Sequence, residues 1–106
     1  MAWILLLIAG VFEVVWAYYM KQSSGFTRAI PTVITISTMI VSFLLLSLAM
    51  RTLPLGTAYT VWTGIGAVGT FAVGVAVLGE PADATRVVAA ALIVCGLVLM
   101  KLSTAQ

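Results

Sequence analysis

Four apolar runs of near-bilayer length, joined by short polar connections, leave this chain few ways to fold. Hydrophobic stretches of about 17–25 residues read as transmembrane helices. The runs cover approximately residues 2–20, 30–50, 56–79 and 85–100, and the connections read KQSSGFTR, RTLPL and EPADA. Each connection is rich in charge, Pro, Gly or Ser, the residues that punctuate helices. Pro31 falls in the first turn of the second run, where its missing N–H does no harm. Asp83 or Thr85 is expected to cap the fourth helix. The expected fold class is an all-α integral membrane protein of four transmembrane helices, one domain over residues 1–106 with nothing outside the bilayer. Composition agrees: 8% of residues are charged, against roughly 25% in soluble domains. The first run lacks a basic leader and a clear cleavage site, so it is expected to be a span and not a signal peptide.

The charged residues are Glu13, Lys21, Arg28, Arg51, Glu80, Asp83, Arg86 and Lys101; seven lie at or between the ends of the runs, and only Glu13 lies well inside one. A charge at the centre of a membrane helix costs about 2.5–3.5 kcal/mol on insertion scales. The Ile, Leu, Val and Phe residues from Ile4 to Val15 return roughly 3–5 kcal/mol together, so the helix carries one carboxyl with little margin. An intramembrane acid is a functional candidate by default. The competing reading is a protonated Glu13 that serves as hydrogen-bonding glue between helices.

Helical neighbours lie three, four and seven residues away. Around Glu13 these include Gly10, expected to leave space above the carboxyl, and Trp16, whose indole offers an N–H donor or a ring face to a cation. On the second run Thr35, Thr38 and Ser42 form a hydroxyl stripe. The two threonines are expected to bond back to their own helix, which leaves Ser42, the deepest, as the candidate. On the third run Tyr59, Trp62, Thr63 and Gly66 are expected to share a face. The glycine-dense stretch containing Gly64 and Gly66 favours a bend or a close helix contact. One acid among aromatics and a serine, without a buried base, suits an organic cation.

Other chemistries are excluded. The chain has no His and one cysteine, Cys95, so intramolecular disulfides, zinc clusters and Ser-His-Asp triads cannot form, and neither a metal nor a cofactor is expected. A net charge of +2, dispersed along the chain, does not make a nucleic-acid surface.

Four spans put both termini on one side, with Arg51 and Lys101; Lys21, Arg28 and Arg86 fall on the other. The positive-inside rule barely chooses between these sides. Two copies in opposite orientations would form an inverted pair, an arrangement that larger transporters build by duplication. Four helices have enough side chains to fill themselves but not to surround a substrate, so a site is expected to need two chains. Ala89 and Gly96, seven apart on the fourth run, present a small face of the kind that brings helices close. That face serves either packing within the chain or a dimer interface.

The chain resembles the small multidrug resistance transporters along nearly its whole length. The resemblance is carried by Glu13, by MKQSSGFTR after the first span, by LPLGTAYTVWTGIGAVG and by LIVCGLVL. The family has a branch exporting quaternary ammonium compounds and a branch exporting guanidinium. Gly10, Trp16 and Ser42 beside Glu13 look like the guanidinium branch, since the other usually has a small residue at the position of Trp16. The resemblance implies a proton-coupled guanidinium exporter, an antiparallel dual-topology homodimer in a bacterial inner membrane. Two Glu13 carboxylates would take the substrate. Trp16 and Ser42 would hydrogen-bond those carboxylates, and Tyr59 and Trp62 would line and gate the pocket. The alternative within the family is a broad multidrug/proton antiporter. Outside it stand a membrane-embedded interaction subunit and a cation channel.

Overall fold

A computed structural model describes residues 1–103. It contains four helices, α1 (Ala2–Gln22), α2 (Ala29–Ala49), α3 (Leu55–Leu78) and α4 (Ala84–Ser103). All four are long and apolar enough to cross a membrane.

Local chemistry explains where each helix stops. α1 runs past Met20 to Gln22 and ends on Ser23, whose hydroxyl donates to the Met20 carbonyl at 2.6 Å and accepts the Phe26 amide at 3.0 Å. Ser24, Gly25 and Phe26 then take positive φ and reverse the chain. Pro54 precedes α3, and Gly79, with φ of +69°, closes it in the left-handed region that glycine enters without steric cost. α4 is capped by Asp83 rather than Thr85: the Asp83 carboxylate accepts the Arg86 amide at 2.9 Å and pairs with its guanidinium at 2.5 Å.

α1 is the centre of the bundle, packed against α2 on one side and α3 on the other, whereas α4 reaches only α3 along its length. The buried core joins Leu6 and Ala9 of α1, Leu46 and Ala49 of α2, Leu53 of the connection, and Ala58, Val61 and Trp62 of α3. Glycines of α3 set the helix separations. A Cβ on Gly64 would lie 2.6 Å from Leu97 Cδ2 of α4, and one on Gly69 would lie 2.5 Å from Val14 Cγ2 of α1. Lys101 stands 4.6 Å over the Trp3 ring, so the last turn of α4 meets the first turn of α1 and both described ends share one face of the slab.

α4 has no buried residue. Val88, Leu92, Leu99 and Leu102 face outward, and Ala89 is exposed among them. Gly96 borders the cleft between α3 and α4 with Ile93, Leu97, Gly64 and Ala67. Seven residues apart on one helix, the two small residues keep to one face, with Gly96 at the cleft and Ala89 two turns towards the start of α4.

The threonines of α2 satisfy themselves locally, as their spacing suggests: Thr35 donates to the Pro31 carbonyl at 2.8 Å and Thr38 to the Ile34 carbonyl at 2.7 Å. Thr38→Val should therefore leave the thermal midpoint of the purified protein, followed by circular dichroism, changed by less than about 0.5 kcal/mol equivalent.

Candidate functional site

Glu13 lies near the middle of α1 and is half-buried. Its carboxyl rests on the backbone of α3 at Gly66. A Cβ added at Gly66 would overlap Glu13 Oε1 and Cδ and come within 2.8 Å of Cγ. Glycine at position 66 is thus what gives the acid its room. Gly10, expected to supply that space, does something else: a Cβ there would sit 2.8 Å from Ile65 Cβ, so Gly10 is the groove that receives Ile65. The two glycine contacts lock α1 against α3 one turn above the carboxyl and at its level.

Ser42 is fully buried on α2. Its hydroxyl donates to the Ala9 carbonyl at 2.7 Å and accepts from Trp62 Nε1 at 3.0 Å. The expected bond from Ser42 to the acid is not made in this structure, because a serine has one proton and Ala9 takes it. The link to Glu13 is indirect. The Ala9 carbonyl is the i−4 partner of the Glu13 amide in an α-helix, so Ser42 holds the turn of α1 that carries the acid. One hydroxyl thereby ties α1, α2 and α3 together at the depth of Glu13.

Trp16 is partly buried one turn below Glu13. Its Nε1 and Glu13 Oε1 are both buried without a hydrogen-bond partner. An orphaned donor and an orphaned acceptor on one helix face are polar groups that a buried site ordinarily satisfies, and a bound cation or a proton would change that balance. Aromatic rings continue away from Trp16. Its centroid is 6.3 Å from that of Phe43, Phe43 is 5.7 Å from Trp62, and Trp62 is 5.6 Å from Tyr59. Trp62 is 6% exposed, whereas Phe43 is 46% and Tyr59 54% exposed, so the row is buried at Trp62 and open on either side of it. Phe43 is the member that helical spacing did not single out. It lies beside Ser42 in sequence, off the hydroxyl stripe, and only the packing of α2 across α1 reveals it.

Gly64 and Gly66 lie inside an unbroken α3. Their missing side chains serve close approach, Gly64 to Leu97 and Gly66 to Glu13. Tyr59 and Thr63, expected on the face of Trp62 and Gly66, both border the α3–α4 cleft, and Tyr59 keeps its ring contact with Trp62. No Lys or Arg forms an ion pair with Glu13 among the described residues; the ion pair seen is Asp83–Arg86.

Residues 1–93 match the family profile described as Small Multidrug Resistance protein. The guanidinium exporters of Citrobacter freundii and Salmonella typhimurium are each 59% identical to this chain over 104 residues, 98% of this chain and 99% of the relative. The guanidinium exporter of Escherichia coli K12 is 56% identical over the same coverage.

Removing the Ser42 hydroxyl leaves the buried Trp62 N–H without an acceptor. Ser42→Ala should lower stability by about 1–2 kcal/mol, read as an earlier unfolding midpoint in detergent, in contrast to Thr38→Val.

Proposed function

Because the chain belongs to the small multidrug resistance family, we propose that it is a transporter, not an enzyme, and that it exports guanidinium in exchange for protons. The observation that carries this reading is the Glu13 carboxyl, set mid-span on the bare backbone of Gly66 beside Trp16 and with no basic partner among the described residues. The names and 56–59% identity of the relatives support guanidinium as the cargo.

Guanidinium is planar and carries its N–H donors in a fork that matches carboxylate oxygens. Two Glu13 side chains, one from each of two oppositely inserted copies, grip it in plane. The orphaned Trp16 N–H is then available to orient the carboxylates. Trp62, fixed by Ser42, and Phe43 wall the pocket with ring faces. Tyr59, at the exposed end of the row, gates it.

Protons and guanidinium compete for the same oxygens, because a protonated carboxyl no longer balances a cation. A proton on each Glu13 is released when guanidinium binds from the cytoplasm of a bacterial cell, and proton return from outside expels it. Exchange of those protons for one monovalent cation moves net positive charge inward, so the membrane potential drives export. The two copies rock so that the pocket opens to one side at a time. A bend of α3 at Gly64 and Gly66 absorbs that motion, and the α4 face containing Ala89, together with Gly96, forms the contact between copies.

In liposomes carrying a pH gradient, Glu13→Gln should abolish guanidinium flux and coupled proton flux together; persistence of coupled exchange would remove Glu13 from the mechanism. Trp16→Gly tests the cargo assignment. Guanidinium affinity should fall by at least about tenfold, and wild-type guanidinium binding after that change would favour a broad quaternary-ammonium exporter.

A further inference from the structure

The turn after α3 holds a second carboxylate placed like the first. The Gly79 reversal bonds the Glu80 amide to the Gly74 carbonyl at 3.0 Å, which folds Glu80 back onto α3. Its carboxyl lies on the buried backbone of Gly74: a Cβ there would overlap Glu80 Oε1 and lie 3.0 Å from its Cδ. Glu13 on Gly66 and Glu80 on Gly74 are thus two acids seated on two glycines of one helix. Eight residues of α-helix separate the glycines by about 12 Å.

The space between them is flanked by residues one turn apart on α1 and α3, and Tyr18, Val73 and Leu78 complete its walls. Glu13, Ala17 and Lys21 follow one another at i+4 along α1, and Gly66, Thr70 and Gly74 do the same along α3. Ala17, Lys21, Thr70, Gly74 and Glu80 border one cavity of about 70 Å³. It begins one turn from Glu13, and its outer rim carries the exposed Glu80 and Lys21. A water occupies about 30 Å³ in the liquid, so this volume takes one small cation and excludes a bulky one. Of the neighbouring charges, Asp83 and Arg86 are paired with each other at the α4 cap, while Lys21 borders the same cavity without an ion pair to Glu80.

We propose that Glu80, seated on Gly74 at the mouth of the α1–α3 cavity, is an outer capture site that receives guanidinium from water and passes it along the Ala17–Thr70 lane to Glu13. The assignment rests on the guanidinium-export reading above. Thr70 adds a hydroxyl acceptor for an N–H of the cation. Opposite insertion of two copies places one such site at each membrane face.

The test is guanidinium transport by the purified protein in liposomes, with KM and maximal rate measured at low and at physiological salt. Wild-type flux in the same vesicles decides the parent reading: its absence overturns that reading and this site with it. Given wild-type flux, Glu80→Gln should raise KM by about fivefold at low salt, the worth of one unit charge met at contact distance in water, with maximal rate unchanged. It should also flatten the salt dependence of KM, which a purely structural role would not do. Glu80→Asp should restore that salt dependence. Gly74→Ala, which keeps every charge but pushes the carboxyl off its seat, should raise KM in the same direction. None of these changes alters the Lys and Arg count that governs insertion. Wild-type KM and salt dependence in both Glu80→Gln and Gly74→Ala would overturn the proposal.

Discussion

The hydroxyl of Ser42 is the contact on which the rest of the site depends. It is a buried group on α2 that accepts from an indole of α3 and donates to a carbonyl of α1. In lipid there is no hydrophobic drive between helices, so association rests on close packing and on polar bonds of this kind. The carbonyl it engages belongs to the helical turn that ends at Glu13, and the indole it accepts from is that of Trp62, a member of the aromatic row. A single small side chain therefore sets the depth and rotation of the acid relative to the aromatic row. The desolvated carboxyl is tolerated because its surroundings are held still by contacts it does not itself make.

The glycines of α3 are the second half of the design. Four of them along the helix receive something in the space where a side chain would be: Gly64 receives Leu97, Gly66 receives Glu13, Gly69 receives Val14 and Gly74 receives Glu80. Two of these are packing contacts and two are seats for carboxylates. The same feature that brings α1 close to α3 thus strips the acids' surroundings of bulk. A carboxyl lying on bare backbone occupies room that a side chain at that glycine would fill. α4 stands outside this arrangement, attached through Leu97 and the Trp3–Lys101 contact, with an outward apolar face that suits lipid or a second copy.

Much of this was legible in the sequence, because membrane spans are governed by length and apolarity, which a sequence displays directly. Glu13 stood out for the same reason, as a charge where lipid tolerates few. The back-bonded threonines followed from the chemistry of hydroxyls in helices. What spacing did not show was which neighbour meets which across helices. Gly10 and Gly66 are both glycines near the acid, and only the offset of α1 against α3 decides that Ile65 fills one and the carboxyl lies on the other. Ser42 was identified, but its partners were not, since a hydroxyl's one proton goes to whichever acceptor tertiary packing presents first. Phe43 and the seat of Glu80 share that limitation: the first depends on how α2 crosses α1, the second on a left-handed turn at Gly79 that folds the chain back on itself.

The central claim is that one cation is shared by the Glu13 carboxyls of two chains and displaces their protons. Titration of guanidinium into the purified protein in a weakly buffered solution, with binding followed by tryptophan fluorescence and protons by an indicator dye, measures both halves at once. The account predicts saturation at one guanidinium per two chains, with protons released on binding and apparent affinity falling as the pH is lowered. Saturation at one guanidinium per chain, or binding that releases no protons at any pH, would contradict it.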